Sequence, residues 1–159
     1  MVVVADTSPI NYLVLIDGID LLRLLYGRIV IPVEVFAELT AEGAPAAVLA
    51  WIRNQPGWLE VRQAPQGTIP HAVASLDAGE VAAISAPLIE RDSLLLIDES
   101  AGRSVADKLG VANTGTLGVL VEAAAEGLID LRDALEKLRR TNFRVSESLI
   151  EKLGRLSPE

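Results

Sequence analysis

The chain has 159 residues, 50% of them apolar and 23% charged, with no cysteine and a formal net charge of −8. That length and apolar share suit a single domain over residues 1–159, and the missing cysteine excludes a disulfide scaffold, a thiolate metal site and a cysteine nucleophile. The acidic balance, with a pI near 4.7, argues at first sight against a partner as anionic as nucleic acid, so chemistry is left to oxygen ligands, hydroxyls and one histidine, His71.

The opening apolar run, Val2 to Ala5, stops at Asp6 and lacks the basic head and full apolar core of a targeting segment. No apolar run approaches the roughly 20 residues of a membrane helix. A soluble, cytoplasmic protein without membrane contact is expected. Val2 to Ala5 is β-branched enough for a short strand, and Asp6-Thr7-Ser8-Pro9 then reads as a helix start, with Ser8 as N-cap and Pro9 at the first helical position. Leu13, Ile16, Leu21, Leu22 and Leu25 suggest two helical stretches broken near Asp17-Gly18 and closed by Tyr26-Gly27. Arg28 to Ile31 is a second strand. A helix from Pro32 to about Thr40 carries Glu34 and Glu38 on one stripe, and another covers about Pro45 to Arg53.

Trp58 to Val61 reads as an edge strand, and Gln63 to Pro70 as a surface loop rich in proline and glycine. Ser75 to Glu80 introduces a helix to about Glu90 that Pro87 should kink or shorten. Leu94 to Ile97 is wholly apolar, the pattern of a central strand buried on both faces, and Asp98 ends it. A helix to about Leu109, a short strand Val111-Ala112-Asn113 and a helix from Thr114-Gly115-Thr116 to Gly127 follow. Beyond Leu131 the pattern is helical only, with Leu131, Leu135 and Leu138 and then Leu149, Ile150 and Leu153 as its stripes. Those residues could pack on the domain or form a homodimer face. Strands alternating with helices predict an α/β domain of three layers with a mostly parallel sheet.

Ligands of such sheets bind at the carboxyl ends of the strands. Two strong strands end directly in an aspartate, Asp6 and Asp98, and Glu80 and Glu38 could join them from neighbouring helices. Carboxylates so gathered repel one another unless a cation neutralises them, and Mg²⁺ or Mn²⁺ is the hard, oxygen-seeking choice. Each acid also has a structural reading. Asp77-Ala78-Gly79-Glu80 forms a capping box, Asp98 could cap its following helix, Glu34 suits a helix dipole, and Glu38 could sit on a solvated face. Asp6 alone has no evident capping task, because Ser8 and Pro9 already start the helix. A haloacid-dehalogenase-like phosphatase would need an acid where Ser8 stands, no phosphate-cradling glycine motif is present, and a lone His71 does not support catalytic zinc.

Ala5-Asp6-Thr7-Ser8-Pro9, Val35-Phe36-Ala37-Glu38-Leu39, Leu76-Asp77-Ala78-Gly79-Glu80 and Leu95-Leu96-Ile97-Asp98-Glu99, in that order and spacing, resemble the PIN-domain nucleases. With Gly115-Thr116-Leu117-Gly118-Val119-Leu120 they are similar to a bacterial and archaeal PIN-like branch related to VapC-type toxins of toxin–antitoxin pairs. The resemblance implies a parallel five-strand sheet between helices and a Mg²⁺- or Mn²⁺-dependent endoribonuclease. It carries Asp6, Glu80 and Asp98 over as metal-binding acids, with Glu38 completing the catalytic cluster. Thr7 or Ser8 would hold the first aspartate or a water. The chain departs from the toxin pattern at Asp98-Glu99-Ser100, which makes Glu99 a candidate further ligand. Arg103, Thr116, Arg139, Arg140 and Arg144 are candidate substrate contacts. RNA is the expected substrate and a helical antitoxin a candidate partner. A PIN-like RNA-binding or protein-interaction module without turnover is the alternative, and a small phosphatase or nucleotide hydrolase a third.

The charge is unevenly placed. Residues 1–130 hold 7 Lys/Arg against 17 Asp/Glu, and residues 131–159 hold 7 against 5. With aromatics at 4%, no base-reading aromatic cluster is visible, and recognition is expected to use backbone and shape.

Overall fold

The computed structural model describes residues 1–64, 76–88 and 92–144. His71, Glu90 and the Leu149, Ile150 and Leu153 stripe lie outside the described residues, as does most of the loop from Gln63. In chain order the elements are β1 (Val2–Ala5), α1 (Thr7–Leu15), α2 (Asp20–Tyr26), β2 (Ile29–Pro32), α3 (Val33–Leu39), α4 (Ala46–Arg53), β3 (Leu59–Arg62), α5 (Ala78–Leu88), β4 (Ser93–Leu96), α6 (Ser100–Lys108), β5 (Asn113–Thr114), α7 (Thr116–Ala125) and α8 (Leu131–Arg139). The five strands form one sheet in the order β3-β2-β1-β4-β5. Every pairing among them is parallel, where the alternation of elements predicted a mostly parallel sheet.

Alternation along each strand explains the layers, because successive side chains of a strand point to opposite faces. Val3, Ala5, Ile29, Ile31 and Leu96 face one core with residues of α1, α2, α3, α4, α7 and α8. Val4, Val30, Leu95 and Ile97 face a second, smaller core with Ala83 and Ile84 of α5 and Ala106 of α6. Helices thus cover both faces, and the short strands can be apolar throughout.

The order of the strands fixes where the ends of β1 and β4 fall. From β1 the chain steps outward through β2 to β3, then returns to lay β4 on the other side of β1. Ala5 pairs with Leu96 at the last rung, and the Asp6 amide donates to the Leu96 carbonyl at 2.9 Å. Asp6 and the residues after Leu96 therefore leave the same edge at the point where the winding reverses, which is where open parallel sheets bind ligands.

Several local boundaries differ from the sequence pattern. Asp6, not Ser8, is the N-cap position of α1: its backbone is extended (ψ 174°) and the helix starts at Thr7, although the Asp6 side chain makes no cap hydrogen bond. Pro32 and Pro45 precede α3 and α4 as their N-cap residues. β4 begins at Ser93 and ends at Leu96, but Ile97 still donates its amide to the Thr114 carbonyl at 2.8 Å, so the ladder continues one residue further. Leu94 is half-buried, so this strand is not covered on both faces along its whole length. α5 continues through position 87 and ends at Leu88. α8 is capped by Asp130, whose side chain accepts from the Asp133 amide, and Leu131, Leu135 and Leu138 are buried in the larger core. That stripe is packed within the chain.

Truncation at the sheet centre tests this arrangement. Leu96 is fully buried and Leu24 is 51% exposed, so Leu96→Ala should cost about 2–5 kcal/mol in urea unfolding and Leu24→Ala about 0.5 kcal/mol or less.

Candidate acidic active site

Four acids surround the end of β1, and the chain treats their oxygens in two different ways. Asp6 follows the last residue of β1 and is only 4% exposed. Its Oδ1 is buried without a hydrogen-bond partner. Burial first, and then the charges of Glu80, Asp77 and Glu38, raise its pKa from 3.8 to about 7, with the Thr7 amide offsetting part of the rise. Glu80 lies in the first turn of α5 and is 7% exposed. The capping box is real: the Asp77 amide donates to Glu80 Oε1 at 3.2 Å, and the Glu80 amide donates to Asp77 Oδ1 at 2.8 Å. Glu80 Oε2 remains, buried and unpartnered. The capping and ligand readings of Glu80 are compatible because each uses a different oxygen. Burial, with repulsion from Asp77 and Glu99, raises its pKa as well.

Asp98 and Glu38 are instead held by hydroxyls. Asp98 Oδ2 accepts from Ser8 Oγ and from Thr116 Oγ1, both at 2.7 Å, and Oδ1 accepts from the Thr116 amide at 2.7 Å. Asp98 thus caps α7, whose own N-cap residue is Gly115, and not α6, which follows Glu99 with no side-chain cap. The empty cap at Gly115 was the available signal. A side chain there would also have no room: a Cβ on Gly115 would lie 2.7 Å from Asp98 Oδ1 and 3.2 Å from the Ile97 carbonyl oxygen. Glu38, half-buried on α3, accepts a hydrogen bond from the Thr7 hydroxyl and lies against Gly79, the neighbour of Glu80. Thr7 and Ser8, expected near the first aspartate, therefore hold Glu38 and Asp98. Thr116 is completely buried, which leaves it a positioning role and no contact with a dissolved substrate.

Glu99 is exposed and close enough for its charge to act on Glu80. A Cβ on Gly102 of α6 would fall 3.1 Å from Glu80 Oε2 and 2.6 Å from Ile97 Cδ1, so a glycine there lets the helix close over the unpartnered oxygen. All-oxygen donors, two of them desolvated and without a hydrogen to accept, suit a hard divalent cation. Among the described residues no three acidic side chains already stand in ligating geometry around one point. The donor chemistry fits such an ion, and its final arrangement is not fixed by the hydrogen bonds now made.

Two cavities open beside Asp98. One, about 570 Å³, is lined by Asp98, Arg103, Leu117, Val121, Phe143 and Arg144 among others. The second, about 540 Å³, is lined by Ser8, Tyr12, Asp98, Glu99, Asn142 and Arg144, with Phe143 between the two. Arg103 and Arg144 are thus at the site. Arg139 and Arg140 line neither cavity and stand 3.8 and 3.9 Å from Glu136 on α8 in ion pairs. An aromatic pair with no trace in the local sequence also stands here. Tyr12 and Phe143 meet edge to face, with ring centroids 4.8 Å apart, and Tyr12 donates to Asn142 Oδ1 at 2.7 Å.

A wholly parallel α/β sheet with acids gathered where its winding reverses defines a class of proteins that carry their site at the carboxyl ends of the central strands. Within that class the particular family is clear. The family model described as DUF3368: PIN domain matches residues 2–159, and the chain belongs to this family of nuclease domains. No curated protein and no solved structure gives a significant match. Among the described residues no helix is long and apolar enough to cross a membrane.

The direction of the Asp6 shift has a measurable sign. A carboxyl with a folded pKa near 7 and an unfolded value near 3.8 holds its proton in the folded state after the unfolded chain has lost it. Its contribution to stability therefore declines as pH rises from about 4 to about 7 and stays low above that. In chelator, the melting temperature of wild type minus that of Asp6→Asn should become more negative over this window. Mg²⁺ or Mn²⁺ at pH 8 should raise the wild-type value and leave the variant nearly unchanged. An Asp6→Asn protein less stable than wild type at pH 8 in chelator would contradict the buried-charge account.

Proposed function

We propose that this protein is a Mg²⁺- or Mn²⁺-dependent endoribonuclease that hydrolyses RNA phosphodiester bonds to a 5′-phosphate and a 3′-hydroxyl. The supporting observation is the pair of buried, unpartnered oxygens, Asp6 Oδ1 and Glu80 Oε2, in a chain of the PIN-domain family. Asp6, Glu80 and Asp98 would hold the ion, with Glu99 as a further carboxylate at the exposed side and Glu38 completing the acidic cluster. When bound, such an ion acidifies the attacking water and offsets the charge that builds on the phosphoryl oxygens.

The remaining work falls to the chain's own side chains. Ser8 and Thr116 fix Asp98 from two directions, and Thr7 fixes Glu38. A carboxylate with restricted rotation keeps its lone pairs aimed as charge develops, at little cost in reorganisation. Arg103 and Arg144, at the cavity beside Asp98, would hold flanking phosphates. A role as the toxin of a toxin–antitoxin pair is supported by the similarity of the Asp6, Glu38, Glu80, Asp98 and Gly115–Leu120 segments to that PIN-like branch. Such a toxin would work in the cytoplasm beside a helical antitoxin.

Labelled RNA incubated with purified protein and Mn²⁺ should be cut, and chelator should stop it. Asp6→Asn and Asp98→Asn should each lower kcat by about a hundredfold or more. Equal cleavage by all three proteins would remove the proposal, and RNA binding without any cleavage would leave the non-catalytic module. Expression of wild type, but not of Asp6→Asn, should arrest growth of a host lacking the antitoxin.

Thr116→Val separates positioning from packing. It should lower kcat about tenfold with little change in KM, and Thr116→Ser should restore most of the loss. A loss seen only in KM, or absent, would show that the Thr116 hydroxyl does not orient Asp98 for the reaction.

A further inference from the structure

The larger cavity differs from the acidic cluster that it adjoins. Its lining combines Leu117, Val121 and Ala125 of α7 and Phe143 with the cations Arg103 and Arg144. Phe143 and Arg144 also line the second, more polar cavity, and Asp98 is common to both. A chain crossing Asp98 would thus pass from a polar chamber into an apolar one.

Charge and rigidity narrow the choice of occupant. Arg103 makes only a long contact, 3.4 Å, to the Asn113 amide oxygen, and neither Arg103 nor Arg144 has a carboxylate partner among the described residues. Glu122, the other acid of the lining, accepts a hydrogen bond from the Tyr26 hydroxyl at 2.7 Å. Phe143 is held by the Tyr12 ring and by its own amide, which donates to Thr141 Oγ1 at 3.1 Å. A fixed aromatic ring, aliphatic side chains of α7 and two cations in one lining match a planar base joined to an anionic backbone. At about 570 Å³ the space is within the ~300–1,000 Å³ of small-molecule sites.

We infer that this cavity is a nucleobase subsite: it seats one base of the substrate strand beside the phosphate at Asp98, with Phe143 as the stacking wall and Arg103 and Arg144 on the adjoining phosphates. The inference rests on the nuclease assignment above and adds the residues that set sequence preference. The base must leave its stack to enter, so a paired strand cannot use the subsite.

The test uses wild-type protein with Ca²⁺ in place of Mn²⁺, an ion that takes carboxylate oxygens in a looser geometry than Mg²⁺, read while the strand is still uncut, and a short fluorescent oligoribonucleotide with one abasic residue walked through its positions. Fluorescence anisotropy should find one position at which losing the base weakens binding about tenfold, a typical loss for one base–aromatic contact. Phe143→Ala in the same background should cost a similar factor with the intact strand and nothing further with that abasic strand, because both remove one contact. Val121→Trp, which fills the cavity and keeps an apolar wall, should reproduce this result if Phe143→Ala unfolds, as judged by thermal melting. Arg144→Gln should weaken every strand and lower the salt dependence by about one phosphate contact.

Equal binding of intact and abasic strands at every position would overturn the subsite. So would losses that multiply in the combined experiment, the absence of measurable strand binding, or a site that takes an apolar peptide side chain with no dependence on the base. Hydrolysis of a small activated phosphodiester by wild type with Mn²⁺ reports on the acidic cluster without any base. Loss of base dependence with that hydrolysis intact rejects the subsite alone, whereas no hydrolysis rejects the nuclease assignment.

Discussion

The constraint on which the rest of the structure depends is the burial of the Asp6 carboxylate at the end of the central strand. It stands among other acids with one oxygen unpaired. A charge in that position is costly because water is removed and like charges remain. The sheet order makes the position unavoidable, since β1 lies at the middle with β4 beside it and both chains leave the same edge. A fold selected only for stability would place an amide or an apolar residue there. The two strand-end acids are what turns a common parallel α/β arrangement into a site.

Nearby groups keep that cost local. Asp98 and Glu38 are drawn aside by three hydroxyls, and α7 supplies an amide to Asp98 as well. Helix N-termini favour anions, so α7 meets Asp98 with the favourable end of its dipole. Gly115 and Gly102 permit the approach, one beside Asp98 and the other over Glu80. Two acids are therefore satisfied within the chain, and two keep one oxygen each with no internal partner. The unsatisfied pair, Asp6 and Glu80, is where an external cation would gain most.

Much of this was legible in the sequence for a physical reason: strands and the acids that end them are local patterns. Val2 to Ala5 before Asp6, the apolar run before Asp98, and the Asp77–Glu80 box each announce themselves within a few residues. What escaped depends on chain separation. Ser8 and Asp98 are 90 residues apart, and Tyr12 and Asn142 130 apart, so neither pairing leaves a local trace. A chain with 4% aromatics shows no aromatic cluster along its sequence, yet Tyr12 and Phe143 meet beside Asp98. Composition counts rings and cannot tell where the fold collects them. Arg139 and Arg140, clustered in sequence, stand near Glu136 and line neither cavity beside Asp98. Arg144, a few residues beyond, lines both cavities.

The net charge of −8 is the total of groups with different tasks, and its sign says little about the ligand. Much of the surface carries ordinary solvated acids, screened within about 10 Å at moderate salt. The charges that a phosphate would meet are those at the site: the acids Asp6, Glu80, Asp98 and Glu99, and the cations Arg103 and Arg144, which share cavity linings with Asp98. Without a cation the acids would repel a polyanion. A bound divalent ion would reverse the local sign, and an acidic protein would then present a positive patch to a polyanion. A nuclease built on this cluster would need its ion electrostatically before chemically, because the same carboxylates that would hold it would otherwise exclude the substrate.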